Sequence, residues 1–188
     1  MKRDAAEIAE LAGLIDAALE LPPEQRSTWI EQLPPDHDTL KPALRKLLAM
    51  PTDGSPQSAA DRYDETLRQQ YGAGTLEVGV PLFHLTLLGL GDDGHTASLL
   101  PGQPVLQERD RWAAMVPKGR AEPRISLTYP ALESSALILF LVSGAGKRDA
   151  LAQARAGIGP AGGIKPQGEV LWLADQAAAG EDDQGYGF

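Results

Sequence analysis

One stretch of the chain decides the fold: Phe83-His-Leu-Thr-Leu-Leu-Gly-Leu-Gly-Asp-Asp-Gly-His-Thr-Ala-Ser-Leu-Leu-Pro-Gly102. The apolar run that opens it is short and stops at Gly89, which predicts a buried parallel strand with His84 inside it as a structural residue. Residues 96–100 predict the first turns of a helix. His95 would then lie beyond the carboxyl end of a strand, where ligands bind in open α/β sheets.

A dinucleotide-binding loop is one alternative, because the glycines after the strand match the pattern G-x-G-x-x-G. These glycines are Gly89, Gly91 and Gly94. In such a loop a pyrophosphate lies on backbone N–H groups at a helix N-terminus, and the carboxylates of Asp92 and Asp93 would oppose its charge. An acidic residue about 20 positions further on should end the second strand. Glu108 and Asp110 instead precede the next apolar run, which disfavours a dinucleotide site.

Asp93 and His95 form a pair with catalytic potential. A carboxylate two residues from an imidazole can orient the ring and stabilise its charged form, as general-base catalysis requires. The plainer interpretation is that His95 caps a helix and Asp93 complements the helix dipole. The spacing of the two residues alone leaves both interpretations open.

Five segments carry specific motifs in a fixed order. They are Ala59-Ala-Asp-Arg-Tyr-Asp-Glu-Thr-Leu67, Leu88-Gly-Leu-Gly-Asp-Asp-Gly-His-Thr-Ala-Ser-Leu-Leu-Pro-Gly102, Pro123-Arg-Ile-Ser-Leu-Thr-Tyr-Pro-Ala-Leu132, Phe140-Leu-Val-Ser-Gly-Ala-Gly-Lys147 and Pro166-Gln-Gly-Glu-Val-Leu-Trp-Leu-Ala-Asp-Gln-Ala-Ala178. In this order they resemble the 6-phosphogluconolactonase family over about residues 57–179. The resemblance implies an α/β domain with a Rossmann-like, three-layer parallel sheet. The apolar runs place its strands near residues 83–88, 112–116, 136–142 and 170–173.

The resemblance also implies a reaction, the hydrolysis of 6-phospho-D-glucono-1,5-lactone to 6-phosphogluconate in the pentose phosphate pathway. That reaction needs no cofactor and no metal. His95 would act as general base and Asp93 would hold it in place. The remaining expected contacts to the substrate are Gly91, Gly94, Thr96, Arg124 and Lys147, of which the two cations would hold the phosphate. Taken singly, either cation would be interpreted by default as a solvated surface residue.

The sequence departs from the family pattern in two places. The family has a Ser-Gly-Gly-type phosphate loop and an Asp-Glu-Arg segment whose arginine lies at the reacting carbonyl, and neither string occurs in this chain. We therefore expect a phosphorylated-lactone hydrolase with impaired activity. The alternative is a catalytically silent module for sugar-phosphate binding or protein interaction. A more remote one is a sugar-phosphate isomerase or deaminase of the wider fold group.

The first fifty residues differ in character and predict a helical appendage. Apolar residues at spacings of three and four predict an amphipathic helix over 4–20, and pairs of prolines separate further helices over 24–33 and 39–50. The segment Ala18-Leu-Glu-Leu-Pro-Pro-Glu-Gln-Arg26 resembles the helical segment before the kinase domain of many bacterial serine/threonine protein kinases, although no kinase signature follows. The expected organisation is a helical appendage at 1–50, a linker at 51–56, an incomplete lactonase-like α/β domain at 57–180 and a disordered tail at 181–188.

Composition narrows the function classes. The formal net charge of −9 over 188 residues argues against nucleic-acid binding and requires local cations for any phosphate ligand. The absence of cysteine excludes disulfides, thiolate catalysis and cysteine-ligated metals. No apolar run approaches the roughly 20 residues of a membrane-spanning helix, so we expect a cytoplasmic protein without membrane contacts. A sheet edge left uncovered by the missing family segments would favour self-association.

Overall fold

The computed structural model describes residues 10, 13–14, 17–18, 21, 23–42, 44, 50–51, 54–118 and 121–180. The chain divides into two compact units, residues 1–52 and residues 53–188. In the first unit the helix predicted over 24–33 is confirmed as α1 (Pro23–Glu31). The helices predicted over 4–20 and 39–50 lie largely outside the described residues, and the tail at 181–188 lies entirely outside them.

The second unit contains both helices and strands. Its elements are α2 (Pro56–Tyr71), β1 (Thr86–Gly89), β2 (Ala113–Val116), β3 (Arg124–Leu127), α3 (Tyr129–Glu133), β4 (Leu137–Val142), α4 (Arg148–Arg155), α5 (Gly159–Gly162), β5 (Glu169–Ala174) and α6 (Gln176–Ala179). Helix α2 begins where the Ser55 hydroxyl accepts the N–H of Ser58, and it ends at Gly72, whose φ of +84° suits glycine. Among the described residues, no helix is long and apolar enough to cross a membrane.

The central sheet is parallel and has the strand order β1-β4-β5. Gly89 of β1 is opposite Leu141 of β4, and Leu141 is opposite Leu173 of β5. The predicted α/β fold with a parallel sheet is therefore confirmed. Strand β2 lies outside this sheet and pairs with β3 in an antiparallel ribbon, a pairing that the apolar run alone does not specify.

The two faces of the central sheet have different surroundings. The face that carries Leu88, Ile138 and Phe140 is buried in the core, which also contains Leu151 of α4. Phe140 stacks on Trp172 with ring centroids 4.0 Å apart. The opposite face bears large apolar side chains that stay about half exposed, and we call it the leucine face: Leu87, Leu141, Leu171 and Leu173.

Two expectations for the stretch around His95 are wrong. The helix predicted over 96–100 does not form: residues 97–98 are a turn, and Thr96 and Leu99 form an isolated bridge. Hydrogen bonds to other segments replace those of a helix here. The Thr96 hydroxyl donates to the carbonyl of Gly89, and the N–H of Ser98 donates to the Ser126 hydroxyl. His84 is also not inside the strand, because it precedes β1 and is exposed.

Candidate active site

A closed loop follows β1 and positions the reactive side chains. The N–H of Gly91 donates to the carbonyl of His95 at 2.8 Å, and the N–H of Gly94 donates to the carbonyl of Gly91 at 3.0 Å. Gly94 has a φ of +77°, which glycine adopts without strain. The Thr96 hydroxyl, 2.8 Å from the carbonyl of Gly89, ties the end of the loop back to the strand. His95 therefore lies at the carboxyl end of a parallel sheet, as the sequence predicts.

Asp93 and His95 form the pair that their spacing suggests. Oδ1 of Asp93 lies 2.5 Å from Nδ1 of His95 and also accepts the His95 backbone N–H at 3.2 Å. Partial burial alone would raise the pKa of Asp93, but the hydrogen bonds from the ring and backbone of His95 outweigh it and leave this pKa below its ordinary value. Asp93 is thus held as a carboxylate that orients the imidazole.

A cavity of about 450 Å³ opens beside this pair. Its lining combines the loop with a lysine from the turn after β4: Gly89, Leu90, Gly91, Asp92, His95, Thr96, Ala97 and Lys147. Lys147 ends the short 3₁₀ turn Ala145–Lys147 and directly precedes α4. Its ammonium group lies 2.5 Å from Oδ1 of Asp92. His95 and a cation therefore face one cavity, and Asp93, which is outside the lining, contacts His95.

The structure does not bring every predicted site residue into this cavity. Gly94 lies behind the lining, where its carbonyl accepts the N–H of Ala161. Arg124 is exposed at the start of β3 and is also outside the lining. Of the predicted substrate contacts, the lining contains Gly91, Thr96 and Lys147.

Sequence reasoning missed the residue that fixes the turn carrying Lys147. Asp175 follows β5, accepts the Ser143 hydroxyl at 2.6 Å and accepts the N–H of Gly144 at 3.0 Å. It also caps α6 by accepting the N–H of Ala178 at 2.8 Å. The hydrogen bond from Ser143, followed by those from backbone N–H groups, lowers the pKa of Asp175. An aspartate directly after a strand and before a short helix was the available signal.

Comparison with known proteins identifies the family. The family model for glucosamine-6-phosphate isomerases/6-phosphogluconolactonase matches residues 24–172. The chain belongs to this family. The 6-phosphogluconolactonase of a Nostoc species is 38% identical over 162 residues, which cover 83% of this chain and 63% of the relative. That of a Synechocystis species is 38% identical over 160 residues, covering 81% and 62% respectively.

The solved structures of the family agree with the fold. The 6-phosphogluconolactonase from Trypanosoma cruzi superimposes with a TM-score of 0.58 at 21% identity, covering 80% of this chain and 61% of that one. This likeness concerns the fold alone. The chain spans less than two thirds of the length of the family members that it matches. The match to the family model nevertheless extends as far back as residue 24, before the predicted linker.

Proposed function

We propose that this chain hydrolyses 6-phospho-D-glucono-1,5-lactone to 6-phosphogluconate, a reaction of the pentose phosphate pathway. The observation that carries the proposal is the joint position of His95 and Lys147 at one cavity, with Asp93 bound to the imidazole of His95. The names of the Nostoc and Synechocystis relatives support the same substrate. The acidic, cysteine-free composition is consistent with a reducing cytoplasm as the compartment.

The first chemical step assigns a role to each nitrogen of the imidazole. The carboxylate of Asp93 can only accept, so Nδ1 of His95 carries the proton between them. Nε2 is then unprotonated and can take a proton from a water molecule in the cavity. As that proton leaves, the water oxygen attacks the carbonyl carbon of the lactone, and a tetrahedral oxyanion forms. Asp93 stabilises the imidazolium that this step creates.

The second step opens the ring. The oxyanion collapses, the bond between the carbonyl carbon and the ring oxygen breaks, and His95 returns its proton to that oxygen. The products are a hydroxyl group and a carboxylic acid, which ionises. A positioned general base contributes about 10²- to 10⁴-fold to the rate. Among the described residues that line the cavity there is no arginine, and loss of one oxyanion donor typically costs about 10²- to 10³-fold.

Lys147 provides the anchor for the 6-phosphate. Its side chain is only 28% exposed and faces the same cavity as His95. A lysine contact to phosphate is charge-assisted and is present in both the ground state and the transition state. We therefore expect Lys147→Ala to raise KM and to change kcat little. Arg124, which is exposed and outside the lining of the cavity, remains a predicted second phosphate contact.

The decisive test compares two histidine variants in lactone hydrolysis, after subtraction of the spontaneous rate. His95→Ala should lose at least about 10²-fold in kcat, because the base is removed. His84→Ala is the matched control and should keep the parent rate, because His84 is exposed and outside the cavity. Equal losses in both variants would contradict the proposed role of His95.

Two other outcomes would select the alternatives. Binding of 6-phosphogluconate without lactone turnover would identify a silent sugar-phosphate-binding module. Turnover of an amino-sugar phosphate would identify an isomerase or deaminase instead. Either result would overturn the proposed hydrolase.

A further inference from the structure

We propose that Asp92 is a built-in competitor of the phosphate ligand: it neutralises Lys147 while the cavity is empty and yields to the phosphate on binding. The inference rests on the proposed function, because it assumes that Lys147 receives the phosphate. It concerns how strongly that site resists occupation by simple anions. Asp92 is not a catalytic residue, since the proposed hydrolysis uses only the neighbouring Asp93 and His95 as acid–base groups.

The geometry of the ion pair carries the inference. Oδ1 of Asp92 lies 2.5 Å from Nζ of Lys147, and both side chains line the cavity next to His95. Asp92 follows β1 and Lys147 follows β4, and these strands are parallel neighbours. The pair therefore joins two loops at the carboxyl end of the sheet, beside the cavity.

The unequal exposure of the two partners determines which one moves. The side chain of Asp92 is 77% exposed, whereas that of Lys147 is 28% exposed. Exposed ion pairs contribute little to stability, so Asp92 can rotate into solvent at small cost. The half-buried lysine stays and can pair with a phosphate dianion, which offers twice the charge of the carboxylate and more acceptor oxygens.

A lower occupancy by weakly bound anions follows from this exchange, because every anion meets the same competitor. Any anion that binds Lys147 must first displace Asp92 and then tolerate a carboxylate nearby. A small anion such as inorganic phosphate gains only the lysine contact, so the competitor reduces its occupancy. A phosphorylated sugar also contacts the loop around His95 and recovers the loss through those contacts. Asp92 thus keeps the site from filling with free phosphate.

The experiment is a double-mutant cycle, with affinities for inorganic phosphate and for 6-phosphogluconate measured by calorimetric titration of the full chain. Asp92→Asn keeps the side-chain size and removes the charge, and we expect it to tighten phosphate binding about three- to tenfold. Lys147→Met should weaken the binding of both ligands. In the Lys147→Met background, Asp92→Asn should change the affinities by less than about twofold, because the competition acts through the lysine.

Two control variants separate the ion pair from general effects of charge. Asp61→Asn removes the same charge from another exposed aspartate, which pairs with Arg111 at 2.6 Å outside the cavity. It should leave both affinities unchanged. Asp92→Glu keeps the charge and should bind phosphate as the parent does. Folding of each variant is checked by its unfolding transition, and Asp92→Ser replaces Asp92→Asn if the latter does not fold.

The outcomes distinguish this inference from the proposed function. If Lys147→Met weakens binding and Asp92→Asn does not tighten it, the competitor is disproved and the phosphate anchor stands. Equal tightening by Asp92→Asn and Asp61→Asn would also disprove it, because net charge would then be the cause. If Lys147→Met leaves both affinities unchanged, or if neither ligand binds the parent, the phosphate anchor and the competitor fail together.

Discussion

Gly91 is the residue on which the contact between Asp93 and His95 depends most directly. A Cβ atom at this position would lie 2.0 Å from Nδ1 of His95 and 2.8 Å from Oδ1 of Asp93. Any side chain would therefore occupy the space of the imidazole. Glycine is required here for the close approach of the ring, since Gly91 is not among the residues with positive φ.

We expect Gly91→Ala to abolish most of the proposed lactonase activity while the chain still folds. The new methyl group would push the His95 ring away from Asp93, and misplacement of a catalytic group by about 1 Å costs about 10²-fold in rate. Steady-state kinetics and thermal unfolding check both parts. Gly74→Ala is the control, because a Cβ at Gly74 has nothing within 4 Å. A Gly91→Ala variant with the parent kcat would show that the observed ring position is not needed.

The contact between α2 and β2 depends on the carboxylate of Asp64. This side chain accepts Nε of Arg68 at 2.8 Å and the backbone N–H of Trp112 at 2.6 Å. The guanidinium of Arg68 in turn lies 4.6 Å from the centre of the Trp112 ring. Burial raises the pKa of Asp64, but the hydrogen bonds from Arg68 and the backbone outweigh it, and the net shift is downward.

Asp64→Asn should lower the free energy of unfolding by about 1–3 kcal/mol near neutral pH, because charge-assisted hydrogen bonds are lost from a largely buried group. A depressed native pKa means that the carboxylate stabilises the fold above about pH 4 and loses this effect as the pH falls through the native pKa. Denaturant titrations should therefore show the difference between variant and parent narrowing in acid. Asp61→Asn, at an exposed position one turn earlier on α2, should lower the free energy of unfolding less than Asp64→Asn does. If the difference in unfolding free energy between Asp64→Asn and the parent did not change with pH, the stabilising role of the Asp64 carboxylate would be contradicted.

At the level of elements, the sequence predicts what short-range patterns determine. The apolar runs locate β1, β4 and β5 to within three residues, because buried parallel strands are continuous in hydrophobicity. The helix expected after His95 is wrong because Thr-Ala-Ser-Leu-Leu has acceptable helix propensity while its donors bind Gly89 and Ser126 elsewhere in the fold. Tertiary hydrogen bonds that join distant segments are invisible to local patterns.

In the candidate site, too, contacts between residues close in the chain could be predicted and contacts between distant residues could not. Asp93 and His95 are two residues apart, so their contact could be predicted from spacing. Asp92 and Lys147 meet only because β1 and β4 are neighbours in the sheet, although they are distant in the chain. From the sequence alone, the carboxylate of Asp92 is expected to repel a phosphate and Lys147 is expected to bind one. The sequence does not show that these two side chains form an ion pair.

At the scale of the whole molecule, the leucine face is the feature without an evident partner among the described residues. Its four leucines, from all three strands of the sheet, are 48–58% exposed. The register places these side chains on one side of the sheet. Parallel sheets are normally covered on both faces. In the described part of the chain, β1 also has a strand neighbour on one side only.

We propose that the leucine face and the adjacent edge of β1 associate with a second copy of this chain. Sedimentation velocity should then show a dimer or larger species whose fraction grows with concentration and with salt, because salt screens the repulsion between chains of net charge −9. The double variant Leu171→Lys, Leu173→Lys should be monomeric. Ile158→Lys, at a residue 56% exposed outside the sheet, is the control and should associate like the parent. A parent that is monomeric at all concentrations would contradict the proposal.

The half-exposed leucines have a consequence for how heat resistance is measured. If they are covered only in the associated form, every increase in protein concentration favours the folded, associated state by mass action. The melting temperature would then be a property of the solution as well as of the chain. It should rise steadily between dilute and concentrated samples of the parent, and it should be constant for the double lysine variant.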